Sequence, residues 1–456
     1  MGRTRGRAAM TSTEEGRAAP PRLEHLLRPL VPASLDARGG PAEQPPVWLQ
    51  AGEWRLLARP CTDESPAGEV IESFRLDSGA SASAVQSGDD GAVFVPFDFD
   101  EAYGNYVTEA WRESTALRQL SARQLGIYYR IKRLLPRAFW IQLRRAFIRG
   151  GERPEFPRWP LDLGVDCLLR FYAHCLLLAS GRDRAPFAWF WPGRHRAALI
   201  LTHDVESEDG LRLGLELADL EQERGLRSSF NIVAAQYKVD PGIVRELTER
   251  GFEIGLHGLR HDRSLFSSRA EFERQLPLLA EARRRFGAAG FRSPATHRVV
   301  GWLAELPVEY DCTIPHSDPY EPQPGGCCSL WPYMLGRLVE LPYTLPQDHT
   351  LFTLLRQRSV SPWQTQAEAI ERRFGLIQCL SHPDRGYLGD ADKRLLYSEF
   401  LDALAERDGI WKALPREVAA WWRRREAGDS DDEQKAGTMH RAESPEYTTF
   451  EPPAAA

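Results

Sequence analysis

A chain of 456 residues with 42% hydrophobic content has room for two modest domains or one large one with extensions, and enough apolar material for a sizeable core. A net charge of -6 and a pI near 6.1 supply no concentrated positive field, which argues against nucleic acid as a partner. Seven irregularly spaced cysteines, with only Cys327 and Cys328 adjacent, form no short-spaced metal pattern and predict reduced, buried thiols in a cytoplasmic protein.

The basic opening M-G-R-T-R-G-R-A-A-M runs into T-S-T-E-E-G instead of an apolar run, so no secretory signal is expected. Residues 1–45, rich in Arg, Ala, Pro and Gly without periodicity, read as a disordered leader. Residues 46–190 read as a mixed, mostly helical region that begins with a small β element at 47–49, 54–57 and 93–97. Between Ser114 and Gly151 stand nine Arg or Lys and no acid, interleaved with apolar residues and broken at Pro136. That stretch fits a solvated helical face packed on the next domain. Alternatively, Arg118 to Arg149 touch an anionic membrane surface or a lipid-phosphate substrate, which would place the protein peripherally at the inner membrane. The most apolar later stretch, Cys167 to Ala179, holds Arg170 and His174 and is too short to span a bilayer.

From 191 to 427 the pattern alternates. Strand-like runs at 197–203, 227–234, 252–257, 290–293, 310–314, 338–343 and 376–381 enclose helix-like runs at 209–224, 240–250, 268–285 and 363–374, with another at 391–407. Repeated β-then-α units imply α/β architecture, and about seven parallel strands predict an incomplete (β/α) barrel with an N-terminal α+β extension. A last helix, Pro415 to Arg425, docks through Trp421 and Trp422, and the polar tail 428–456 reads as disordered.

Chemistry-bearing residues gather at predicted strand ends. A-A-L-I-L-T-H-D-V-E, Ala197 to Glu206, carries an apolar strand into Asp204 and Glu206, whose spacing puts both carboxylates on one face of an extended chain. His203 and Val205 then point the other way, and His203 reads as a core histidine. H-G-L-R-H follows the next-but-one strand; on a helical turn, His257 and His261 would share a face and could clamp a divalent metal. A nearby carboxylate completes a two-His, one-carboxylate set. In F-R-S-P-A-T-H-R, Arg292 could pair with a catalytic carboxylate, and backbone N–H groups near Ala295 could face a developing oxyanion. In L-S-H-P-D-R-G, His382 ends a strand and could serve as a general acid.

T-H-D-V-E, H-G-L-R-H, F-R-S-P and L-S-H-P, in this order, resemble the motifs of the polysaccharide deacetylase family, the NodB-type homology domain of carbohydrate esterase family 4, over roughly residues 195–425. The resemblance implies a distorted barrel, one divalent metal ion, usually zinc, and hydrolysis of an N-acetyl or N-formyl group on a sugar. It assigns Asp204 as catalytic base, His257 and His261 as metal ligands, and Arg292 as the residue tuning the base. His382 becomes the general acid, and Leu380 the residue shaping the acetate-methyl pocket. The usual second Asp of the first motif is Val205 here, so the metal carboxylate is displaced to Glu206. Asp311 or Asp318, near His316, could supply a further motif that the sequence leaves open. The implied partner is a carbohydrate of a cell-surface polysaccharide or its precursor. The alternatives are a catalytically silent glycan-binding module and a deacylase of a lipid-linked sugar.

Overall fold

The computed structural model describes residues 21–62, 66–88, 91–114, 137–150, 154–428, 436–442 and 447–454. Its first layer is a six-stranded sheet built from β1 (Asp36–Ala37), β2 (Val47–Ala51), β3 (Trp54–Ala58), β4 (Gly68–Leu76), β5 (Ser81–Ser87) and β6 (Val93–Val95), in the order β1-β6-β5-β4-β2-β3. The helix Gly164–Ala179 buries Phe171 against Phe74, Phe97 and Phe99, closing this layer with an aromatic cluster. The described residues of 46–190 thus contain strands as well as helices; the β4–β5 hairpin is not evident from the sequence because it is polar on its exposed face and carries few apolar residues to announce it.

The described parts of the two segments expected to be disordered, 21–45 and 436–442 with 447–454, contain regular elements. Within 1–45, Leu23, Leu26 and Leu27 of the short helix Leu23–Leu27 are buried. Within 428–456, β17 (Ala436–Arg441) and β18 (Thr448–Glu451) form a sheet with β7 (Arg184–Ala188), burying Met439 and Phe450 against Phe187. These described pieces are packed on partners distant in sequence, which local composition does not reveal. Arg425 ties these pieces together: its buried guanidinium donates to the carbonyls of His25, Leu26, Ala188 and Trp189 at 2.8–3.1 Å.

The second layer is a nine-stranded sheet. It comprises β8 (Ala197–Val205), β9 (Ser228–Ile232), β10 (Glu253–Leu256), β11 (Gly290–Phe291), β12 (Tyr310–Asp311), β13 (Tyr333–Leu335), β14 (Leu338–Glu340), β15 (Leu376–Ser381) and β16 (Ile410–Lys412). The order is β13-β14-β12-β11-β10-β9-β8-β15, with β16 also paired to β8, and every pairing except β13–β14 is parallel. All seven expected strands are present, together with the short β13 and β16. All nine residues of β8 are buried, as expected of a strand with helices on one face and the barrel interior on the other. The gap between β14 and β15 is bridged irregularly: Leu345 N donates to Gln378 O at 3.1 Å and Thr344 Oγ1 to Leu376 O at 2.7 Å. The result is an incomplete (β/α) barrel whose strand ends converge on one site.

Five of the nine basic residues between Ser114 and Gly151, Arg118 to Arg133, lie outside the described residues. In the helix Arg137–Gly150, Arg144 donates to Tyr320 O, and Arg145 Nε donates to Thr353 O at 3.0 Å, so both turn toward the barrel. No helix among the described residues is long and apolar enough to cross a membrane.

Candidate active site

Alternation along β8 turns Thr202 and Asp204 into the barrel and His203 and Val205 toward the helices. Val205 joins Leu211, Phe230 and Ile232 in an apolar cluster. His203 is saturated on the outer side: Nδ1 meets Ser381 Oγ at 2.9 Å and Nε2 meets Glu221 Oε1 at 2.7 Å, with Tyr397 OH on the same carboxylate. This Ser-His-Glu row resembles a nucleophilic triad, but all three residues are fully buried, so it serves the core.

Asp204 is held from two sides. Asn231, its register partner on β9, donates to Oδ1 at 2.9 Å, and Arg292 Nε lies 3.5 Å from the same oxygen. Gly255 makes room for that asparagine, since a Cβ there would sit 2.0 Å from Asn231 Oδ1. Burial opposes ionisation of Asp204, but its electrostatic interactions with the neighbouring His257 ring, the Arg292 guanidinium and His382 hold it below the usual carboxylate value. Arg292 is itself buried, and Thr202 Oγ1 accepts from its Nη2 at 2.9 Å.

Beside Asp204, the residues Glu206, His257 and His261 bring one ligand atom each to within 4.8 Å of one another. His257 Nδ1 donates to Arg292 O at 3.0 Å, which fixes the tautomer and leaves the Nε2 lone pair buried without a protein partner. His261 Nε2 lies 3.0 Å from Glu206 Oε1. The helical turn expected across H-G-L-R-H is absent. Residues 257–263 form an irregular loop that turns at Gly258 with φ 74°, and Pro294 would lie 3.0 Å from any Cβ added there. The loop nevertheless leaves the two imidazole centroids 5.1 Å apart. Burial pushes His257 down to about 4, so its ring is neutral at working pH, as a metal ligand must be. Two imidazoles and one carboxylate around an orphaned buried nitrogen fit a divalent ion. Asp384 supports the carboxylate arm, accepting from Glu206 N at 2.9 Å and from Ser207 Oγ.

His382 stands opposite. Its Nδ1 lies 2.8 Å from Asp348 Oδ1, its backbone N donates to Asp348 Oδ2 at 3.0 Å, and its ring stacks on Tyr387. Nε2 is left facing the pocket, 3.8 Å from Glu206 Oε1. Burial works against the charged ring, but Asp348, followed by Glu206 and Asp204, pushes His382 up to about 10.

The carboxylate bonded to His382 is Asp348, and neither Asp311 nor Asp318 bonds to that histidine. Asp311 accepts from Thr313 Oγ1 at 2.7 Å and Asp318 from Tyr343 OH at 3.0 Å, while His316 is used up by Asp162 N and Ser329 O. The signal for Asp348 was the one that marked Asp204: a carboxylate after a buried run, here L-V-E-L-P-Y-T-L-P-Q-D. Leu380, buried and paired in register with Thr202, shares the interior face with Asp204. Ala295 and Thr296, with φ 48° and 51°, form a left-handed turn directly after Arg292–Pro294, at a cost of about 1–3 kcal/mol per residue. A cavity of about 1330 Å³ lies elsewhere, lined by Trp54, Asp166, Arg170 and Phe450, and Asp204, Glu206, His257, His261, Arg292 and His382 are not among its lining residues.

No protein-family model and no curated protein matches the chain. Solved structures resemble about half of it. A Mycobacterium smegmatis protein assigned as a polysaccharide deacetylase is 20% identical over 53% of this chain and 94% of its own, with a TM-score of 0.43. A Pseudomonas aeruginosa PAO1 protein assigned in the same way is 18% identical over 51% and 93%, with a TM-score of 0.41. The PuuE allantoinase is 17% identical over 59% and 98%, with a TM-score of 0.42.

Proposed function

We propose that the protein is a metal-dependent hydrolase that removes an N-acetyl group from a sugar of a cell-surface polysaccharide or its precursor. The observation that carries this reading is the flanking of Glu206, His257 and His261 by an Arg292-tuned carboxylate on one side and an Asp348-paired imidazole on the other. When bound, a divalent ion supplies Lewis acidity toward the amide carbonyl and toward water. Asp204 takes the proton of the attacking water, and Arg292 keeps that carboxylate ionised and oriented. His382, charged at neutral pH, gives its Nε2 proton to the nitrogen as the C–N bond breaks, releasing acetate and a free amine. Leu380 faces the acyl methyl. A silent glycan-binding module would have no use for a base with a tuning arginine together with an acid held protonated.

The test is acetate release from N-acetylated sugars and oligosaccharides, with the protein zinc-loaded, chelated, and carrying Asp204→Asn. Turnover is expected only in the zinc-loaded parent. Undiminished turnover in the zinc-loaded Asp204→Asn protein would overturn the assignment.

A further inference from the structure

The turn that carries Ala295 is fastened from outside the barrel. Arg298, at the end of F-R-S-P-A-T-H-R, is buried and makes a two-pronged ion pair with Glu109: Nε to Oε2 and Nη2 to Oε1, both at 2.6 Å. Its third nitrogen, Nη1, donates to Thr296 O at 2.8 Å, the carbonyl of the second left-handed residue. Gln323 clasps the same backbone, donating to Arg298 O at 2.8 Å and accepting from Arg298 N at 3.0 Å.

Glu109 belongs to the N-terminal region. It follows the helix Phe99–Val107, itself adopts φ 56°, and precedes Trp111, whose indole donates to Gly326 O at 3.2 Å. Arg112, 3.4 Å from Glu109, donates to Pro324 O at 2.6 Å. Gly325 admits this junction, because a Cβ there would lie 2.5 Å from Glu109 Oε1. The other end of the turn abuts the metal-site loop, with Pro294 against Gly258 and Arg292 O on His257 Nδ1. A threonine does not hold a left-handed conformation unaided, so the surroundings must impose it.

We propose that Glu109 and Arg298 are a positioning pair: the N-terminal region, through one buried carboxylate, holds the Ala295–Thr296 turn in the shape that the reaction needs beside His257. The catalytic consequence rests on the deacylation reading above; the mechanical one does not. Neither residue touches the reacting atoms. Their effect passes through the backbone of the turn.

Removing one partner strands a buried charge, so the principal variant replaces both, Glu109→Leu with Arg298→Met, a change that buried ion pairs often tolerate. Arg298→Lys keeps the charge but loses the fork and the bond to Thr296 O. Three readouts are taken on the zinc-loaded full chain: amide exchange in a peptide spanning 293–298, zinc stoichiometry, and kcat and KM for acetate release. The double variant should retain zinc and exchange at Thr296, His297 and Arg298 about tenfold faster or more. Its kcat should fall about tenfold with KM within about twofold. If the double variant does not fold, the same readouts on Arg298→Lys decide. Parental exchange in a folded, zinc-replete variant overturns the proposal, as does parental kcat where exchange has risen. A parent that takes up zinc and releases no acetate counts against the deacylation reading alone, and the exchange result then decides the positioning role.

Discussion

Asp348 grips His382 twice, through the ring Nδ1 at 2.8 Å and through the backbone N–H at 3.0 Å, so one carboxylate fixes both the position and the charge of the proposed acid. Asp348→Asn keeps the shape and removes the charge. The folded-state pKa of His382 is raised, so its protonated form persists to about 10 in the metal-free pocket and is lost only above that. Without Asp348 the loss moves down toward the ordinary histidine value of about 6.5. The alkaline limb of the pH–kcat profile should therefore shift to lower pH, with kcat at pH 8 falling about tenfold or more. An unshifted limb would show that His382 is not the acid.

The same pair makes a stability prediction for the metal-free protein. A group whose pKa rises on folding contributes stability that is complete below its unfolded value and disappears as pH passes its folded value. Asp348→Asn should accordingly lower Tm most below about pH 6.5 and least above about pH 10. Thermal unfolding with chelator across that window checks it; a Tm decrement independent of pH would separate the pair from the titration of His382.

The proposed displacement of the metal carboxylate to Glu206 is testable at two adjacent residues. Glu206→Gln should weaken zinc binding about tenfold to a hundredfold while leaving the fold intact. Placing Asp at 205, where the commoner motif has it, should not restore binding. Val205 is fully buried among Leu211, Phe230 and Ile232, facing away from His257. An unpaired carboxylate there would cost on the order of 3 kcal/mol or more. Zinc titration and chemical denaturation of Glu206→Gln, alone and with Val205→Asp, measure both effects. Recovery of zinc affinity in the double variant would contradict the orientation of β8.

What the sequence made legible followed from strong local periodicity. Seven buried strands announced themselves, and the alternation in T-H-D-V-E placed His203 and Val205 outward and Asp204 inward without coordinates. What stayed hidden depended on contacts far apart in the chain. Asn231 reads as an ordinary strand residue until β9 sets it beside Asp204, and Asp348 as an ordinary loop residue until the chain beyond β14 reaches His382 at the end of β15. Glu109, 189 residues from Arg298, has no local signature at all. H-G-L-R-H misled in the opposite direction: helical spacing suggested a shared face, but the loop through Gly258 achieves convergence without a helix.

The tail strands are the clearest case of such remote dependence, and removing them is informative. Ending the chain at Gly428 deletes β17 and β18, leaves β7 paired only with residues 28–30, and uncovers Phe187, which packs against Phe450. A loss of two buried apolar side chains and a ladder should lower stability by several kcal/mol, on the order of 3–6. Denaturant titration measures it; an unchanged midpoint would mean that the three-stranded sheet adds nothing to the fold.

Gly255→Ala probes the base through a residue with no side chain of its own. A methyl group at 255 would fall 2.0 Å from Asn231 Oδ1 and 3.3 Å from Ser229 Oγ, and backbone on a central strand has little freedom to retreat. The softer response is rotation of Asn231, which withdraws its amide from Asp204 Oδ1 and leaves Arg292 as the base's remaining partner on that oxygen. Asp204 would then lose orientation rather than charge, because Arg292 still favours the ionised carboxyl. We expect kcat to fall about tenfold with zinc affinity unchanged, since Glu206, His257 and His261 bond elsewhere. Asn231→Ala should reproduce the loss of kcat, and combining it with Gly255→Ala should add little further, because both act through one hydrogen bond. Full additivity of the two would place the effect of Gly255 outside the Asn231–Asp204 contact.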